Sequence, residues 1–436
     1  MNEIFLGLIG FGTIGAGVVR LLQNNNELIE KRLGARLTLK KIADIDITTP
    51  RPVTVSEGLL TTDANAILND PDISIVIELI GGYEPAKSFI LEAMRKKKHV
   101  ITANKAMLAT YGNEIYRVAD EEGVDIGFEA SVGGTIPIIR TLKESLVANR
   151  IKSIYGIMNG TSNYILSKMT DEGKSFDVVL REAQVLGFAE ADPSFDIEGI
   201  DTSHKLAITL SLAYGQKVKL DDIYTEGISK IGEQDIAFAR ELGYRIKLLA
   251  IAIEREDVIE ARIHPTMIPF DHLLSNVNGN FNAFQLNGDA SGSVFLYGQG
   301  AGMMPTASAV VSDLVDISRN YLKNISGRVR ARSLRESIIR DIKLMSFDDI
   351  VTNYYFRFSA LDRPGVLSKI SGILGQNNIS IATVIQKGRK QAGAVPIVMT
   401  TYKSIEKDVQ SALKEIDQLD IVQGKTILIR IEDDRL

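Results

Sequence analysis

The sequence predicts an α/β protein with a doubly wound parallel sheet, followed by an α+β domain and a small C-terminal β-α-β-β-α-β module. Strand-like apolar runs alternate with helix-like segments over residues 1–130, which indicates parallel strands covered by helices on both faces. Over residues 131–330, Gly- and Asp-rich loops surround one long apolar helix. Short strands and helices alternate again over 350–436. We therefore expect three domains in this chain of 436 residues.

The elements of the first domain are predicted from its apolar runs. Segments 4–9, 37–43, 73–79 and 99–102 are rich in Ile, Val and Leu, as expected of strands that are buried on both faces. The segment 13–31 predicts one helix after the first strand. A helix near 305–323 is expected to return to this domain.

The other two domains have different patterns. In the middle domain, segment 200–213 predicts a long buried helix and 248–253 predicts a strand. The C-terminal module is predicted as strand 354–360, helix 365–376, strands 379–386 and 394–401, helix 405–416 and strand 426–431. This order is that of the ferredoxin-like module.

Composition limits the class of protein. Hydrophobic residues make up 45% of the chain and charged residues 24%, the balance of an ordinary soluble globular protein. The net charge of −5 gives no overall basic field, so we expect neither nucleic acid nor a membrane as partner. The N-terminus lacks the positive charge of a signal peptide, so we expect a cytoplasmic protein. With no cysteine, disulfides, thiolate metal sites and cysteine nucleophiles are excluded.

A glycine motif follows the first predicted strand and opens the first helix. It reads Gly10-Phe11-Gly12-Thr13-Ile14-Gly15. In this context the glycines permit a tight turn, approach of a pyrophosphate and close packing of helix on strand, which predicts a Rossmann-type dinucleotide site. A plain strand-to-helix turn is the alternative. Asp44 follows the second strand and favours NAD, since a carboxylate can accept from a ribose diol and repels a 2′-phosphate; NADP stays open. A solvated loop acid is the alternative for Asp44.

The middle domain contains the candidate catalytic residues. The loop around Gly187 carries Glu190 and Asp196, and the long helix that follows begins with Asp201 and Lys205, which share one helix face because they are four residues apart. The alternative is a weak surface ion pair. Because this helix is apolar nearly all round, its charges are expected to be buried, which favours a polar ligand or catalysis.

These residues resemble the homoserine dehydrogenase family, and the resemblance extends over the whole chain. The loop and helix from Gly187 to Lys205 carry the family signature, and four further blocks are similar: Ala103-Asn104-Lys105, Glu129-Ala130-Ser131-Val132-Gly133-Gly134-Thr135-Ile136-Pro137, Asn159-Gly160-Thr161-Ser162-Asn163-Tyr164 and Gly300-Ala301-Gly302 with Pro305-Thr306-Ala307-Ser308. The resemblance implies reduction of aspartate 4-semialdehyde to homoserine with NAD(P)H, in threonine and methionine biosynthesis.

The resemblance also implies roles for particular residues. Lys205 would donate the proton that the reduced carbonyl needs, and Asp196 would orient Lys205 or a water. Glu190 and Asp201, with Gly187, would bind the substrate. Lys105 would lie beside cofactor and substrate, with a solvated loop lysine as the alternative, and Gly302 would contribute to the cofactor site.

A monovalent cation, usually sodium, is also implied by the resemblance. The matching residues are Glu129, Val132, Gly134 and Ile136, which would bind the ion through backbone carbonyls and one carboxylate. Hard oxygen ligands in a glycine-rich turn suit such an ion. A plain turn with a structural acid is the alternative, and on the residues alone it is preferred.

The C-terminal module resembles the ACT domain, with Pro364 and Gly365 at its first strand-to-helix turn. The resemblance implies that Gly365, Asn377, Asn378 and Ile379 contribute to an effector site, with threonine as the expected effector. An inert dimerisation module is the alternative. Sheet-edge pairing leads us to expect a homodimer or homotetramer.

Three other functions compete with this interpretation. Aspartate-semialdehyde dehydrogenase acts on the same aldehyde but needs a cysteine thiolate, which this chain lacks. A fusion to aspartate kinase is disfavoured because the first strand starts at Ile4. A catalytically inactive amino-acid sensor on the same scaffold stays as the alternative function. The presence of Lys205, Asp196 and Glu190 argues against it.

Overall fold

The computed structural model describes residues 2–256, 258–335, 339–341, 343–387 and 393–433. The chain divides into two compact units, one formed by 1–152, 203–222 and 282–342 and the other by 153–202, 223–281 and 343–436. Each unit is therefore built from several separate stretches of chain. No helix within the described ranges is long and apolar enough to cross a membrane.

The described helices and strands alternate along most of the chain. The strands are β1 Asn2–Ile9, β2 Ala35–Ala43, β3 Leu60–Thr61, β4 Ile73–Glu78, β5 His99–Thr102, β6 Ile126–Gly127, β7 Ile151–Ile157, β8 Gln216–Lys217, β9 Tyr224–Thr225, β10 Tyr244–Arg255, β11 Val258–Pro269, β12 Phe281–Gly288, β13 Gly292–Gln299, β14 Arg340–Asp341, β15 Val351–Leu361, β16 Ile381–Gln386, β17 Ala394–Thr401, β18 Ser404–Ile405 and β19 Ile427–Ile431. The helices are α1 Thr13–Asn24, α2 Asn26–Leu33, α3 Asn65–Leu68, α4 Ala86–Arg95, α5 Lys105–Glu122, α6 Ile138–Arg140, α7 Gly160–Glu172, α8 Phe176–Val185, α9 Ser194–Ile197, α10 Ile200–Tyr214, α11 Glu233–Glu241, α12 Met303–Tyr321, α13 Val366–Gln376 and α14 Glu406–Ile416.

The first unit contains a six-stranded parallel sheet in the order β3-β2-β1-β4-β5-β6. The strand order reverses between β1 and β4, and in doubly wound sheets the crevice at the carboxyl ends of such strands is where dinucleotides bind. The predicted doubly wound parallel sheet is confirmed. Its core contains the fully buried Leu6 and Leu8 of β1 together with Val310 and Leu314 of α12, the helix expected near 305–323.

One predicted helix is wrong as a single element. The segment expected to be helical over 13–31 is broken at Asn25, where φ is −111° and ψ is 17°, so that α1 ends and α2 begins. Three consecutive asparagines, 24–26, lie at the break. Asparagine favours helix ends because its side chain hydrogen-bonds locally to backbone. The helix α2 then ends at Gly34 in the left-handed conformation, with φ of 79°.

The strands of the second unit form one sheet in the order β7-β10-β11-β19-β15-β17-β16, with β9 beside β11 and β18 beside β15. The elements β15, α13, β16, β17, α14 and β19 confirm the predicted β-α-β-β-α-β order. A feature that the sequence did not predict is parallel pairing of β19 with β11, at Thr266 with Arg430 and Met267 with Ile431. The sheet of the C-terminal module therefore continues into the larger sheet.

Candidate functional site

The glycine loop of residues 10–15 joins β1 to α1 in the first unit. A Cβ atom on Gly10, whose φ is 101°, would lie 2.6 Å from the carbonyl carbon of Leu79, and a Cβ on Gly15 would lie 2.1 Å from the oxygen of Gly10. A Cβ on Gly12 would meet no described atom within 4 Å. The loop is thus crowded where it turns and open at Gly12, at the start of α1. These residues fit the pyrophosphate of a dinucleotide.

Asp44 lies where expected, directly after β2, but its carboxylate is bound to the protein. Its Oδ2 accepts a hydrogen bond from the backbone N–H of Phe11 in the glycine loop, and its Oδ1 accepts from the N–H of Asp46. Asp44 therefore fixes the loop. The sequence interpretation missed Arg51, whose Nη2 donates to the backbone oxygen of Asp46 at 3.1 Å. This guanidinium lies in the segment that follows β2.

Lys105 is the first residue of α5, at the carboxyl edge of the parallel sheet. The preceding Asn104 caps the helix, and its amide donates to the oxygen of Gly82 at 2.6 Å. The N–H of Asn104 donates to Thr102 at the end of β5, whose hydroxyl donates to Glu78 at the end of β4, at 2.7 Å. Burial raises the pKa of Glu78. These contacts between neighbouring strand ends hold Lys105 in place.

Gly302 and the start of α12 belong to the same unit. Gly302 has φ of 123° and precedes the helix, and its oxygen accepts from the N–H of Thr306. Met303 packs against Gly17 of α1, where a Cβ would lie 2.8 Å from the Met303 Cγ. The close approach of α12 to α1 therefore depends on Gly17. At α12 the chain thus comes back into contact with α1, the helix that follows the glycine loop.

In the second unit, Asn159 connects two of the predicted site carboxylates. Its Nδ2 donates to Oδ1 of Asp196 at 2.7 Å and to Oδ2 of Asp201 at 2.9 Å. Its Oδ1 caps α7 by accepting from the N–H of Ser162 at 2.8 Å. The Ser162 hydroxyl donates to the backbone oxygen of Asp196. Asn159 therefore fixes the distance between Asp196 and Asp201 and joins both to α7.

The loop between α8 and α9 carries Gly187 and Glu190. It is attached to α7 by the Thr161 hydroxyl, which donates to the oxygen of Phe188 at 2.7 Å, and by rings of Phe188 and Tyr164 with centroids 5.0 Å apart. Gly187 is exposed with φ of 73°. Glu190 is also exposed. The structure thus brings Asp196 and Asp201 together through Asn159 but leaves Glu190 on the loop surface.

The helix α10 carries Asp201 and Lys205 one turn apart, and both side chains are buried, at 1% and 7% exposure. The prediction of a buried helix is confirmed, and an exposed surface ion pair does not fit this burial. His204 is buried as well, at 5%. Among the described residues, no three or more His, Cys, Asp or Glu side chains are grouped to hold a metal ion.

Glu129 lies in the first unit, buried at the start of a glycine-rich turn. Its carboxylate accepts from the N–H groups of Ile139 and Arg140, both at 2.8 Å, and so caps the short α6. Its own N–H donates to Asp313. Burial, with a further contribution from Asp313, raises the pKa of Glu129 to about 7. A buried pair of carboxylates is an environment that a cation would stabilise.

The turn after Glu129 contains the other three residues predicted to bind a cation, Val132, Gly134 and Ile136. Gly133 and Gly134 both adopt positive φ, 74° and 58°, a backbone conformation that favours glycine. A Cβ on Gly134 would lie 2.6 Å from the backbone oxygen of Gln299. Backbone carbonyls and one carboxylate are thus present in one buried segment, and this donor set fits a monovalent cation.

The predicted effector residues surround α13 in the C-terminal module. Gly365 precedes the helix with φ of 88°. After the helix, the Asn377 side chain donates to the oxygen of Ile373 at 2.9 Å, Asn378 is exposed with φ of 59°, and Ile379 is buried in the module's core. Of these four residues, Gly365 and Asn378 are exposed to solvent.

The comparison with known proteins covers the whole chain. A family model for homoserine dehydrogenase matches residues 137–315, a model for the homoserine dehydrogenase NAD-binding domain matches 10–129, and an ACT-domain model matches 354–420. A homoserine dehydrogenase of Neisseria gonorrhoeae is 44% identical over 432 residues, covering 99% of both chains. One of Pseudomonas aeruginosa is 43% identical over 434 residues, again covering 99% of both.

Solved structures agree with these relatives. A crystal structure of a homoserine dehydrogenase from Thiobacillus denitrificans superimposes with a TM-score of 0.92 at 45% identity, covering 99% of each chain. A Staphylococcus aureus homoserine dehydrogenase superimposes with a TM-score of 0.76 at 32% identity, also covering 99% of each. The family models, the full-length relatives and the solved structures all indicate the same family. This chain therefore belongs to the homoserine dehydrogenase family of nicotinamide-dependent oxidoreductases, with an ACT domain at its C-terminus.

Proposed function

We propose that this chain catalyses the reversible, NAD(P)H-dependent reduction of L-aspartate 4-semialdehyde to L-homoserine. The observation that carries the proposal is the cluster in which Asn159 binds both Asp196 and Asp201, with Lys205 one turn further along α10. Full-length identity to homoserine dehydrogenases supports an active enzyme rather than an inactive sensor.

The site residues supply binding and proton transfer. When bound, the reduced nicotinamide supplies a hydride to the aldehyde carbon. The carbonyl oxygen then needs a proton, which the buried ammonium of Lys205 donates and regains from solvent. Asp201, held by Asn159, and Glu190 on its loop would bind the substrate ammonium, while Asp196 would orient Lys205 or a water. Lys105, fixed at the edge of the parallel sheet, would bind between cofactor and substrate.

The first test is an absorbance assay of homoserine oxidation with NAD and then with NADP. We expect reduction of at least one cofactor. Lys205→Met should lower kcat by at least about a hundredfold, the usual scale for loss of a general acid, with little change in cofactor affinity. Lys217→Met, an exposed lysine after the same helix, is the matched control. No turnover by folded enzyme with either cofactor would contradict the proposal and favour the inactive sensor.

We also propose that sodium binds at Glu129, Val132, Gly134 and Ile136. The support is the buried carboxylate beside two consecutive left-handed glycines. We expect activity to fall when sodium is replaced by tetramethylammonium and to return on titration with sodium chloride. Glu129→Gln should raise the sodium concentration needed for half-activity. Activity independent of the cation would support a purely structural role for Glu129 as the cap of α6.

Threonine is the effector that we propose for the ACT domain, at Gly365, Asn377, Asn378 and Ile379, in a homodimer or homotetramer. The exposed Asn378 is well suited to a test, because glycine tolerates its φ of 59°. Asn378→Gly should therefore remove the amide without backbone strain and weaken inhibition by threonine, while kcat without threonine stays unchanged. Light scattering would give the oligomeric state. Equal threonine inhibition in the variant would exclude the Asn378 side chain from the site.

A further inference from the structure

A cavity of about 940 Å³ lies in the second unit, next to the short pairing between β11 and β19. Its walls come from α14 and β19 of the ACT domain, from the segment 224–231, and from Glu198. Within the described residues, β11 pairs with β19 at Thr266 with Arg430 and at Met267 with Ile431. Nearer the start of β11, at Arg262 and Ile263, the neighbouring strand is β9. This volume lies within the range of small-molecule sites.

Positive charge exceeds negative charge on the cavity wall. Lys230, Lys414 and Lys425 lie on three different wall segments, and none of them forms an ion pair within the described residues. Of the lining carboxylates, Glu226 accepts from Arg430 at 2.8 Å and Asp417 accepts from the N–H and hydroxyl of Thr426. In all, four positive side chains, the three lysines and Arg430, line the cavity with three carboxylates, Glu198, Glu226 and Asp417, which leaves a net charge of +1.

One wall of the cavity, the segment 224–231, is hydrogen-bonded to α9, the short helix that carries Asp196. The N–H of Ile228 donates to the oxygen of Ile197 at 2.8 Å. A Cβ on Gly227 would lie 2.3 Å from that oxygen and 2.4 Å from the Cα of Glu198, so the two segments are in contact without space between them. Ile197 follows Asp196, whose carboxylate is bound by Asn159. A shift of the segment at Gly227 would therefore be transmitted to Asp196.

The same segment is hydrogen-bonded to the ACT domain by Arg430 of β19, which is 1% exposed. Its Nη1 donates to Glu226 at 2.8 Å, while Nε and Nη2 donate to Glu406 at 2.9 and 2.6 Å. The Tyr224 hydroxyl donates to Glu226 at 3.0 Å. Glu226 thus lines the cavity, binds the ACT domain and immediately precedes Gly227.

We propose that this cavity is a second effector site, which binds a small molecule with two or more negative charges, either carboxylates or a phosphate ester. Its occupancy would draw Lys230 towards Lys414 and Lys425 and so move the segment 226–228 against Ile197, changing the position of Asp196. The lining shares no residue with the predicted threonine site at Gly365, Asn377, Asn378 and Ile379.

The test is calorimetric titration of the full chain with citrate and, separately, with inorganic pyrophosphate. Saturating NADP keeps these anions out of the glycine loop, and acetate at matched ionic strength is the control for charge screening. We expect one of the two anions to bind at one site per chain. Binding of citrate would indicate that the cavity recognises carboxylates, and binding of pyrophosphate that it recognises phosphate. Lys414→Met/Lys425→Met should weaken that binding by at least about tenfold. Lys407→Met, which replaces an exposed lysine of α14 outside the cavity, should leave it unchanged.

Steady-state kinetics test the coupling to Asp196. The bound anion should change kcat or KM for homoserine by at least about twofold in the natural chain and have no such effect in the double lysine variant, whose kinetics without anion should be unchanged. Binding of neither anion, or binding insensitive to the lysine substitutions, overturns the proposed site. Binding without any kinetic change overturns the coupling.

Discussion

Asn159 has three partners in the candidate site, and each constrains a different part of it. The amide nitrogen binds Asp196 and Asp201, while the amide oxygen caps α7. Hydrogen bonds to charged groups contribute about 1.5–3 kcal/mol each, so the two carboxylates have defined positions before substrate binds. Two carboxylates held together would also attract the substrate ammonium.

Replacing Asn159 by serine separates these roles. Serine is as good a helix cap as asparagine but cannot bind two carboxylates at once. We expect Asn159→Ser to lower kcat/KM by about 10- to 100-fold, or about 1.4–2.7 kcal/mol, and to lower stability in urea unfolding by about 1.5–3 kcal/mol, because the carboxylates lose a hydrogen-bond donor. Asn159→Ala should lose about a further 1 kcal/mol of stability through the cap. Activity near that of the natural chain in the serine variant would reduce Asn159 to a helix cap.

Residue spacing alone predicts the candidate site only where its residues are close in the chain; Lys105 and Gly302 were assigned to it by the family resemblance. Asp201 and Lys205 are four residues apart on a helix, and Asp196 lies just before that helix, so their proximity follows from local geometry. The bonds of Asn159 span 37 and 42 residues, a distance over which no local pattern carries information. The available signals were the resemblance of the Asn159 block to the family and the Asn-Gly-Thr-Ser start of α7, which is typical of a capped helix.

Lys247 is a second residue whose environment was not predicted. Its buried Nζ donates to Oδ1 of Asn163 at 3.0 Å and to the oxygen of Val277 at 2.6 Å. Burial, followed by the charge of Arg245, lowers the pKa of Lys247 to about 7 from 10.5. Between these pH values the unfolded chain holds a proton that the folded chain has released. The stability that Lys247 contributes therefore rises with pH over this window and is level below about pH 7.

This dependence can be measured against Lys247→Met, which lacks the titrating group. From about pH 7.5 to 9.5 the natural chain should gain up to about 1.4 kcal/mol per pH unit relative to the variant in urea unfolding. Lys219 is an exposed lysine, and the free energy of unfolding of Lys219→Met should change with pH in parallel with that of the natural chain. If the free energy of unfolding of Lys247→Met changes with pH in parallel with that of the natural chain, the hydrogen bonds keep Lys247 protonated in the folded state.

At the scale of elements, the segment that follows β2 determines how the glycine loop is held. Asp44 accepts from the loop N–H of Phe11, so a substitution at Asp44 would disturb the binding of NAD and NADP alike. Arg51, bound to Asp46, is the better residue for testing cofactor preference. In this fold, an arginine near the end of the second strand accommodates the 2′-phosphate of NADP.

We therefore expect Arg51→Gln to lower kcat/KM for NADPH by about tenfold, the scale of one lost charge-assisted hydrogen bond, and to leave kcat/KM for NADH nearly unchanged. Arg36→Gln provides a matched control, because Arg36 is an exposed arginine at the start of β2. An equal loss with both cofactors would assign Arg51 to holding the loop rather than to binding the phosphate.

The long strands of the parallel sheet and the elements of the C-terminal module were predictable because their apolar residues follow a regular period, whereas strands such as β7 and β12 and helices such as α4 and α7 were not predicted. The break at Asn25 was not, since the helical pattern continues across it and only the three asparagines mark it. Pairing of β19 with β11 was also outside the reach of sequence. Each strand is apolar enough to be central, but nothing local indicates which neighbour it takes.

At the scale of the molecule, the predicted domain ranges 1–130, 131–330 and 350–436 treat the ACT domain as separable, and these boundaries stay predictions. The second unit combines the ACT domain with parts of the middle domain in one sheet. Buried ion pairs lie along this junction. Arg262 of β11, 1% exposed, donates to Glu432 at 2.6 Å and to Glu260 at 2.9 Å, and Arg430 binds Glu406 and Glu226.

These pairs predict the result of removing the ACT domain. Truncation at residue 350 would leave the edge of β11 unpaired at Thr266 and Met267 and deprive the buried Arg262 of Glu432. Loss of one partner from a buried pair costs about 3–5 kcal/mol, a large share of the stability of an ordinary domain. We therefore expect the truncated chain to be unstable rather than simply insensitive to threonine.

Glu432→Gln tests the same interaction in the full chain. It should lower the free energy of unfolding by about 3 kcal/mol and speed hydrogen exchange in β11 and β19, because Arg262 then has one carboxylate partner, Glu260, instead of two. Glu415→Gln, an exposed carboxylate on α14, should do neither. If Glu432→Gln unfolds like the natural chain, the junction depends on strand pairing and apolar contacts, and a truncated enzyme that keeps its activity becomes the expected result.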